Sequence, residues 1–295
     1  MPEPVIVVPL DGSELSERAI PVAVALARGL GATLRFLTVW ESEDRDLEQH
    51  FPALAADLSL AAETYYGEYL GRVAPKAQGV SVAAEVRSGE PAEQILAYAS
   101  QVAADFIVLS THGRSGVSRW WYGSVTDRIV HTSPVPVVVV GPNALPDTTT
   151  YGVRRIATPL DGSPLSESAI DTALRLAEAL SARLTLVRAV RWAAQAYPYT
   201  LPEAYVPQLD AELEAGARAY LEGVRAGLET SVPVDTAVVR GVIADSLMEF
   251  CERESVDLVV MSTHGRSGLA RATLGSVADR LLHGPCPVAL IRPKE

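Results

Sequence analysis

The chain carries one pattern twice. Pro9-Leu10-Asp11-Gly12-Ser13 returns as Pro159-Leu160-Asp161-Gly162-Ser163, and Ser110-Thr111-His112-Gly113-Arg114-Ser115-Gly116 returns as Ser262-Thr263-His264-Gly265-Arg266-Ser267-Gly268. The first motif is displaced by 150 residues and the second by 152. A displacement that drifts so little between the motifs marks a whole domain copied, and its length suits one globular domain, not a solenoid repeat. The sequence therefore reads as two domains, residues 1–142 and 153–295, joined at 143–152 by Pro, Thr and Gly that follow no period.

Within the first copy, short runs rich in Val and Ile (Val5 to Pro9, Leu34 to Val39, Val80 to Val86, Phe106 to Leu109, Val135 to Val140) alternate with longer stretches of helical period. In one of these, Ile95, Ala99, Val102 and Ala103 share a face, which predicts the buried side of a helix. Arg155 to Leu160, Leu184 to Ala189, Val234 to Val239, Leu258 to Met261 and Val288 to Ile291 repeat the strands. Nearly continuous apolar strands imply a parallel sheet covered by helices on both faces. The expected fold is α/β, two tandem doubly wound domains of five strands each. Pro136 and Pro287 put the last strand of each copy at a sheet edge, where pairing with its counterpart would give an internal pseudo-dimer of domains.

Composition excludes several partners. With 48% hydrophobic residues the chain can fill two cores, and no stretch reaches the length of a membrane helix. No basic-then-apolar leader is visible, so the expected setting is the cytoplasm. Two cysteines in 295 residues rule out a disulfide framework. Cys251 falls on a helical apolar stripe and reads as a buried thiol. The net charge of −11, with no cationic cluster, makes nucleic acid a poor partner. Lys76 and Lys294 are the only lysines and neither sits in a glycine-rich loop, so this is no Walker-type phosphate site.

Both repeated motifs follow an apolar strand and should meet at the crevice where the winding reverses. Ser13 and Ser163 read as helix caps, the latter with Pro164 behind it. Asp11 and Asp161 either accept hydrogen bonds from a ligand or brace the turn. Nine residues after Gly113 comes Gly123-Ser124-Val125, and nine after Gly265 comes Gly275-Ser276-Val277. Glycines able to take positive φ, opening a helix whose first amides are unpaired, suit an anion, and Arg114 and Arg266 would add charge. The alternative is that these glycines only permit tight turns. His112 and His264 either face the ligand or bond within the loop, and no metal-ligand spacing accompanies them.

At these residues the chain resembles the tandem form of the universal stress protein family. That family's nucleotide signature is Gly, two residues, Gly, nine residues, then Gly with Ser or Thr. Ser110 and Ser262 stand where its leading Gly is expected, which is harmless if the position offers only backbone and harmful if it needs positive φ. The early aspartate matches Asp11 and Asp161, the glycine before the third helix matches Gly89 and Gly241, and the Pro-Val strand matches Pro136-Val137 and Pro287-Val288. The resemblance implies sheets of the adenine nucleotide alpha hydrolase-like type in the order 3-2-1-4-5. It also implies ATP, with or without magnesium, in each domain. Base and ribose would meet Pro9, Leu10, Asp11, Val39 and Ser110, and phosphates Gly113, Gly123, Ser124 and Val125. The second set is Pro159, Leu160, Asp161, Ala189, Ser262, Gly265, Gly275, Ser276 and Val277, where Ala189 offers the base a smaller wall than Val39. Three functions remain open: an ATP-dependent stress regulator with little or no hydrolysis, a slow ATPase or adenylate-chemistry enzyme, and a scaffold indifferent to nucleotide. A protein partner and a homodimer stay unspecified.

Overall fold

The structure, a computed structural model, describes residues 3–41, 52–111, 123–144, 151–193, 206–263 and 274–293. The chain divides into two units, Met1–Pro142 with Pro146–Tyr151, and Asn143–Leu145 with Gly152–Glu295.

In the first unit the strands are β1 (Val5–Pro9), β2 (Thr33–Trp40), β3 (Val82–Ser88), β4 (Phe106–Ser110) and β5 (Val137–Val140). They run in the order β3-β2-β1-β4-β5, and every pair is parallel. Parallel neighbours need crossovers, supplied here by α1 (Glu14–Glu17), α2 (Ala19–Leu30), α3 (Pro52–Val73), α4 (Pro91–Gln101) and α5 (Ser124–Thr132). The Val/Ile runs are strands because both faces are covered: Ile6, Val7, Val8, Phe36, Phe106 and Val138 have no exposed surface.

The second unit repeats this with β6 (Arg155–Pro159), β7 (Arg183–Val190), β8 (Val234–Arg240), β9 (Leu258–Ser262) and β10 (Val288–Ile291) in the order β8-β7-β6-β9-β10. Its helices are α6 (Pro164–Glu167), α7 (Ile170–Leu180), α8 (Val206–Ala226), α9 (Ile243–Arg253) and α10 (Ser276–Leu281). In both units the winding reverses between the first and fourth strands, which places the crevice at the carboxyl ends of β1 and β4, and of β6 and β9. Among the described residues no helix is long and apolar enough to cross a membrane.

One expectation about the core is corrected. Ala103 is not on a buried helical face: α4 stops at Gln101, and Ala103 is exposed with φ 48°. The chain leaves the helix through a left-handed residue, so Tyr98, 2% exposed, joins Ile95 and Ala99 on the inner side. Cys251 is buried as expected. The Cys286 thiol is pushed up by its hydrogen bond to Cys251 and by burial, which keeps it protonated.

Candidate functional site

The first crevice opens at the end of β1. The turn there is built from side chains: the Asp11 Oδ1 accepts from the Ser13 amide at 2.9 Å and from the Ser13 hydroxyl at 2.6 Å. The Ser13 Oγ in turn accepts from the Ser16 amide at 3.1 Å, capping α1. Gly12 takes φ 88°, which only glycine adopts cheaply. Asp161, Ser163 and Ser166 reproduce the same bonds at 2.9, 2.6 and 3.2 Å, with Gly162 at φ 87°. The aspartates therefore brace the turn through Oδ1, one of the two roles the sequence left open. Asp11→Ala is expected to destabilise its unit by about 1–3 kcal/mol, whereas Asp11→Asn, which keeps the oxygen acceptor, should lose much less; chemical denaturation of the two variants separates them.

Across the crevice stands α5. The Gly123 amide donates to the Thr111 carbonyl at 3.0 Å, and its φ is −54°. Gly275 donates to Thr263 at 3.3 Å with φ −58°. Neither glycine uses positive φ and neither presents its own amide to a ligand, which corrects that part of the expectation. A Cβ on Gly123 would lie 3.5 Å from the Thr111 carbonyl oxygen and one on Gly275 3.4 Å from that of Thr263, ordinary contact distances, so among the described residues neither conformation nor space demands glycine there. The next amides are different. Those of Ser124, Val125 and Thr126 meet no acceptor among the described residues, and no side chain caps the helix. Ser276, Val277 and Ala278 repeat this. Ser124 and Val125, with Ser276 and Val277, thus contribute the unpaired donors that the motif implied, one turn into the dipole's positive end.

Ser110 ends β4 and Ser262 ends β9, and among the described residues neither has positive φ. Serine at the signature's leading glycine is therefore unstrained, and a backbone role suffices. The Ser110 carbonyl accepts from the Thr126 hydroxyl at 3.1 Å, which ties α5 to the strand. Where a positive φ is needed is before α4 and α9, with Gly89 at 125° and Gly241 at 136°.

These elements enclose a cleft of about 580 Å³ in the first unit. Pro9, Leu10, Asp11, Val39, Ser110, Gly123, Ser124 and Val125 all line it. A cleft of the same volume in the second unit is lined by Pro159, Leu160, Asp161, Ala189, Ser262, Gly275, Ser276 and Val277. Leu10 and Leu160 are nearly buried and their amides donate to Leu37 and Val187, so they serve as wall only. His112, Gly113, Arg114, His264, Gly265 and Arg266 lie outside the described residues. Sequence reasoning missed Trp40, Tyr66 and Thr126 in the first cleft, and Arg191, Asp245 and Arg280 in the second. Trp40 immediately follows an expected strand and Arg191 lies two residues past the end of another, a signal available before the structure. The Trp40 indole N–H is buried and meets no acceptor among the described residues.

No lysine or histidine is among the described residues that line either cleft. Among the described residues no cluster of three or more His, Cys, Asp and Glu side chains is placed to hold a metal. The chemistry on offer is anion binding by main-chain donors, beside an apolar and aromatic wall.

The model of the universal stress protein family matches residues 4–141 and again residues 152–292. The chain belongs to that family. It is thus a tandem universal stress protein, within a family associated with stress response. Universal stress protein MJ0531 of Methanocaldococcus jannaschii is 33% identical over 147 residues, 48% of this chain and 84% of that protein. Universal stress protein Rv2005c of Mycobacterium tuberculosis is 31% identical over 192 residues, and the match spans 64% of this chain and 62% of that one. A solved universal stress protein from Archaeoglobus fulgidus shares the fold with a TM-score of 0.65 at 17% identity, over 99% of each chain.

Proposed function

We propose that this universal stress protein binds one adenine nucleotide in each cleft and acts as an ATP-dependent regulator with little or no hydrolysis. The observation that carries this reading is the row of unpaired amides at Ser124, Val125 and Thr126, facing the Pro9 to Asp11 turn across a space of about 580 Å³. Unpaired helix-start donors suit a phosphate chain, and a volume of that size suits a ligand of nucleotide dimensions. The Trp40 N–H adds a donor beside the wall where the base would rest. Any magnesium would arrive with the phosphates, since the described lining supplies no ligand cluster for it. Hydrolysis needs a cation on the leaving phosphates and a group to orient water. The described lining of the first cleft holds no cation at all.

Isothermal titration of ATP into the full chain is expected to saturate at two nucleotides per chain. At a hundredfold excess over Kd, occupancy should stabilise each unit by about 2.7 kcal/mol. A chain that binds no ATP and melts at the same temperature with and without it overturns this reading in favour of a nucleotide-independent scaffold. Steady phosphate release would favour the enzyme.

A further inference from the structure

The two clefts have the same volume and the same main-chain donors, but their charged linings differ. In the first, Asp11 and Glu41 are the charged residues; in the second, Asp161 and Asp245 are balanced by Arg191 and Arg280. Counted over the described residues, the formal lining charge is thus −2 in one and zero in the other.

The sharpest element of this is an inversion at one backbone position. β2 and β7 have equal length, and their last carbonyls, of Trp40 and Val190, accept the Gly89 and Gly241 amides at 3.0 Å each. That shared bond fixes the register, so Glu41 and Arg191 are true counterparts. Arg191 is exposed and meets no carboxylate among the described residues. The neighbouring helix start extends the inversion. In the first unit Glu90 and Glu93 both hold Arg128, at 3.0 and 2.7 Å; in the second, Val242 replaces Glu90, and Arg280 keeps only Asp245, at 3.0 Å. Arg128 is not part of the first lining, whereas Arg280 is part of the second. In sequence, the stretch from Trp40 to Phe51 carries five acids and one arginine, while that from Arg191 to Pro207 has one of each. The described linings also differ in aromatic side chains, which the first has in Trp40 and Tyr66 and the second lacks. The first cleft has Val39, Trp40 and Tyr66, the second Ala189 and Arg191 at the strand end.

We infer that the two clefts weigh the nucleotide's parts differently: the second gains more from the polyphosphate, and the first gains more from the nucleoside and less from the phosphates. This rests on the adenine-nucleotide reading above. Two guanidinium groups within roughly a Debye length of a phosphate chain attract it, and a carboxylate at the matching place repels it. A base gains by resting on an aromatic wall, which among the described residues only the first cleft offers.

The test is equilibrium titration of the full chain with ATP and with adenosine, for wild type, Arg191→Glu, Arg191→Lys and Glu41→Arg. All three substitutions are at exposed positions and should leave folding intact. In wild type the two binding events should differ at least tenfold in their ratio of ATP to adenosine affinity. Arg191→Glu should weaken ATP at one event roughly tenfold while moving adenosine less than twofold. Arg191→Lys should restore it, and Glu41→Arg should tighten ATP at the other event. The contrast should shrink as salt is raised, which a merely structural role would not produce. Equal ratios at the two events, or an ATP affinity untouched by Arg191→Glu, would overturn this difference while leaving nucleotide binding standing. A wild-type chain that binds neither ligand removes both.

Discussion

Replacing Phe106 with alanine is expected to lower the stability of the first unit by about 3–5 kcal/mol. The ring is fully buried on β4, opposite Ile6 of β1, in a sheet covered on both faces. The loss is the transfer free energy of the ring together with the cavity that a dense interior leaves unfilled. For a unit of this size it corresponds to a fall in melting temperature of roughly 10 °C or more. The effect also reaches the site. β4 ends at Ser110, whose carbonyl holds Thr126, and the following Thr111 carbonyl holds Gly123. A strand allowed to shift would carry the helix-start amides with it, so ATP affinity should fall in that unit even at temperatures where it remains folded. Calorimetry and titration of the same variant check both parts. A thermogram equal to that of the parent would mean that β4 is not the structural spine of the first unit. The corresponding change in the second unit, Leu258→Ala, removes a smaller side chain from the same register position and should cost about 2–5 kcal/mol.

That β4 could be placed in advance follows from its composition. Phe106 to Leu109 has no polar residue, and a run of this kind is stable only between two helical layers, so its neighbours and direction are already implied. The same physics located β1, β5 and all the strands of the second unit to within about two residues. β3 likewise begins two residues after Val80, because apolar character begins before the chain reaches the Val82 register with Leu34. Pairing decides that boundary, and pairing is non-local.

The site was legible to a different depth. Positions came through because strand ends and helix starts are set by the fold, and these bring Pro9, Ser110 and Ser124 to one crevice. The roles of individual groups did not, because short polar side chains choose among nearby backbone partners. Asp11 is two residues from the Ser13 amide, and that local bond takes one carboxylate oxygen before any ligand arrives. Glycine permits positive φ, but Gly123 has φ −54° and a Cβ there would meet the Thr111 carbonyl oxygen at an ordinary 3.5 Å, so neither special property of glycine is used. The inversion from Glu41 to Arg191 was hidden for a third reason. The segments that follow β2 and β7 are the least alike in the two copies, and only the matched Gly89 and Gly241 bonds show which residues correspond.

A proline at position 124 should separate the main-chain donors from everything else in the first cleft. The Ser124 amide has no acceptor among the described residues, and Ser124 is the first residue of α5, the place where proline is best tolerated in a helix. The residue before it, Gly123, has φ −54° and ψ 143°, an extended conformation that a following proline favours. Ser124→Pro therefore removes no intramolecular bond of that amide, and stability should hold or rise slightly. Ligand binding should not hold. A charge-assisted hydrogen bond from that amide to a phosphate contributes about 1.5–3 kcal/mol, so ATP at this cleft should weaken roughly 10- to 100-fold. Ser124→Ala, which keeps the amide and deletes only the hydroxyl, should weaken it much less, and adenosine should respond little to either change. Ser276→Pro makes the same test in the second unit, where Gly275 has φ −58° and ψ 142°. If the proline variants bind ATP as the parent does while melting normally, the phosphates do not rest on these amides. The anion-binding role of the helix starts would then be wrong, whatever else occupies the clefts.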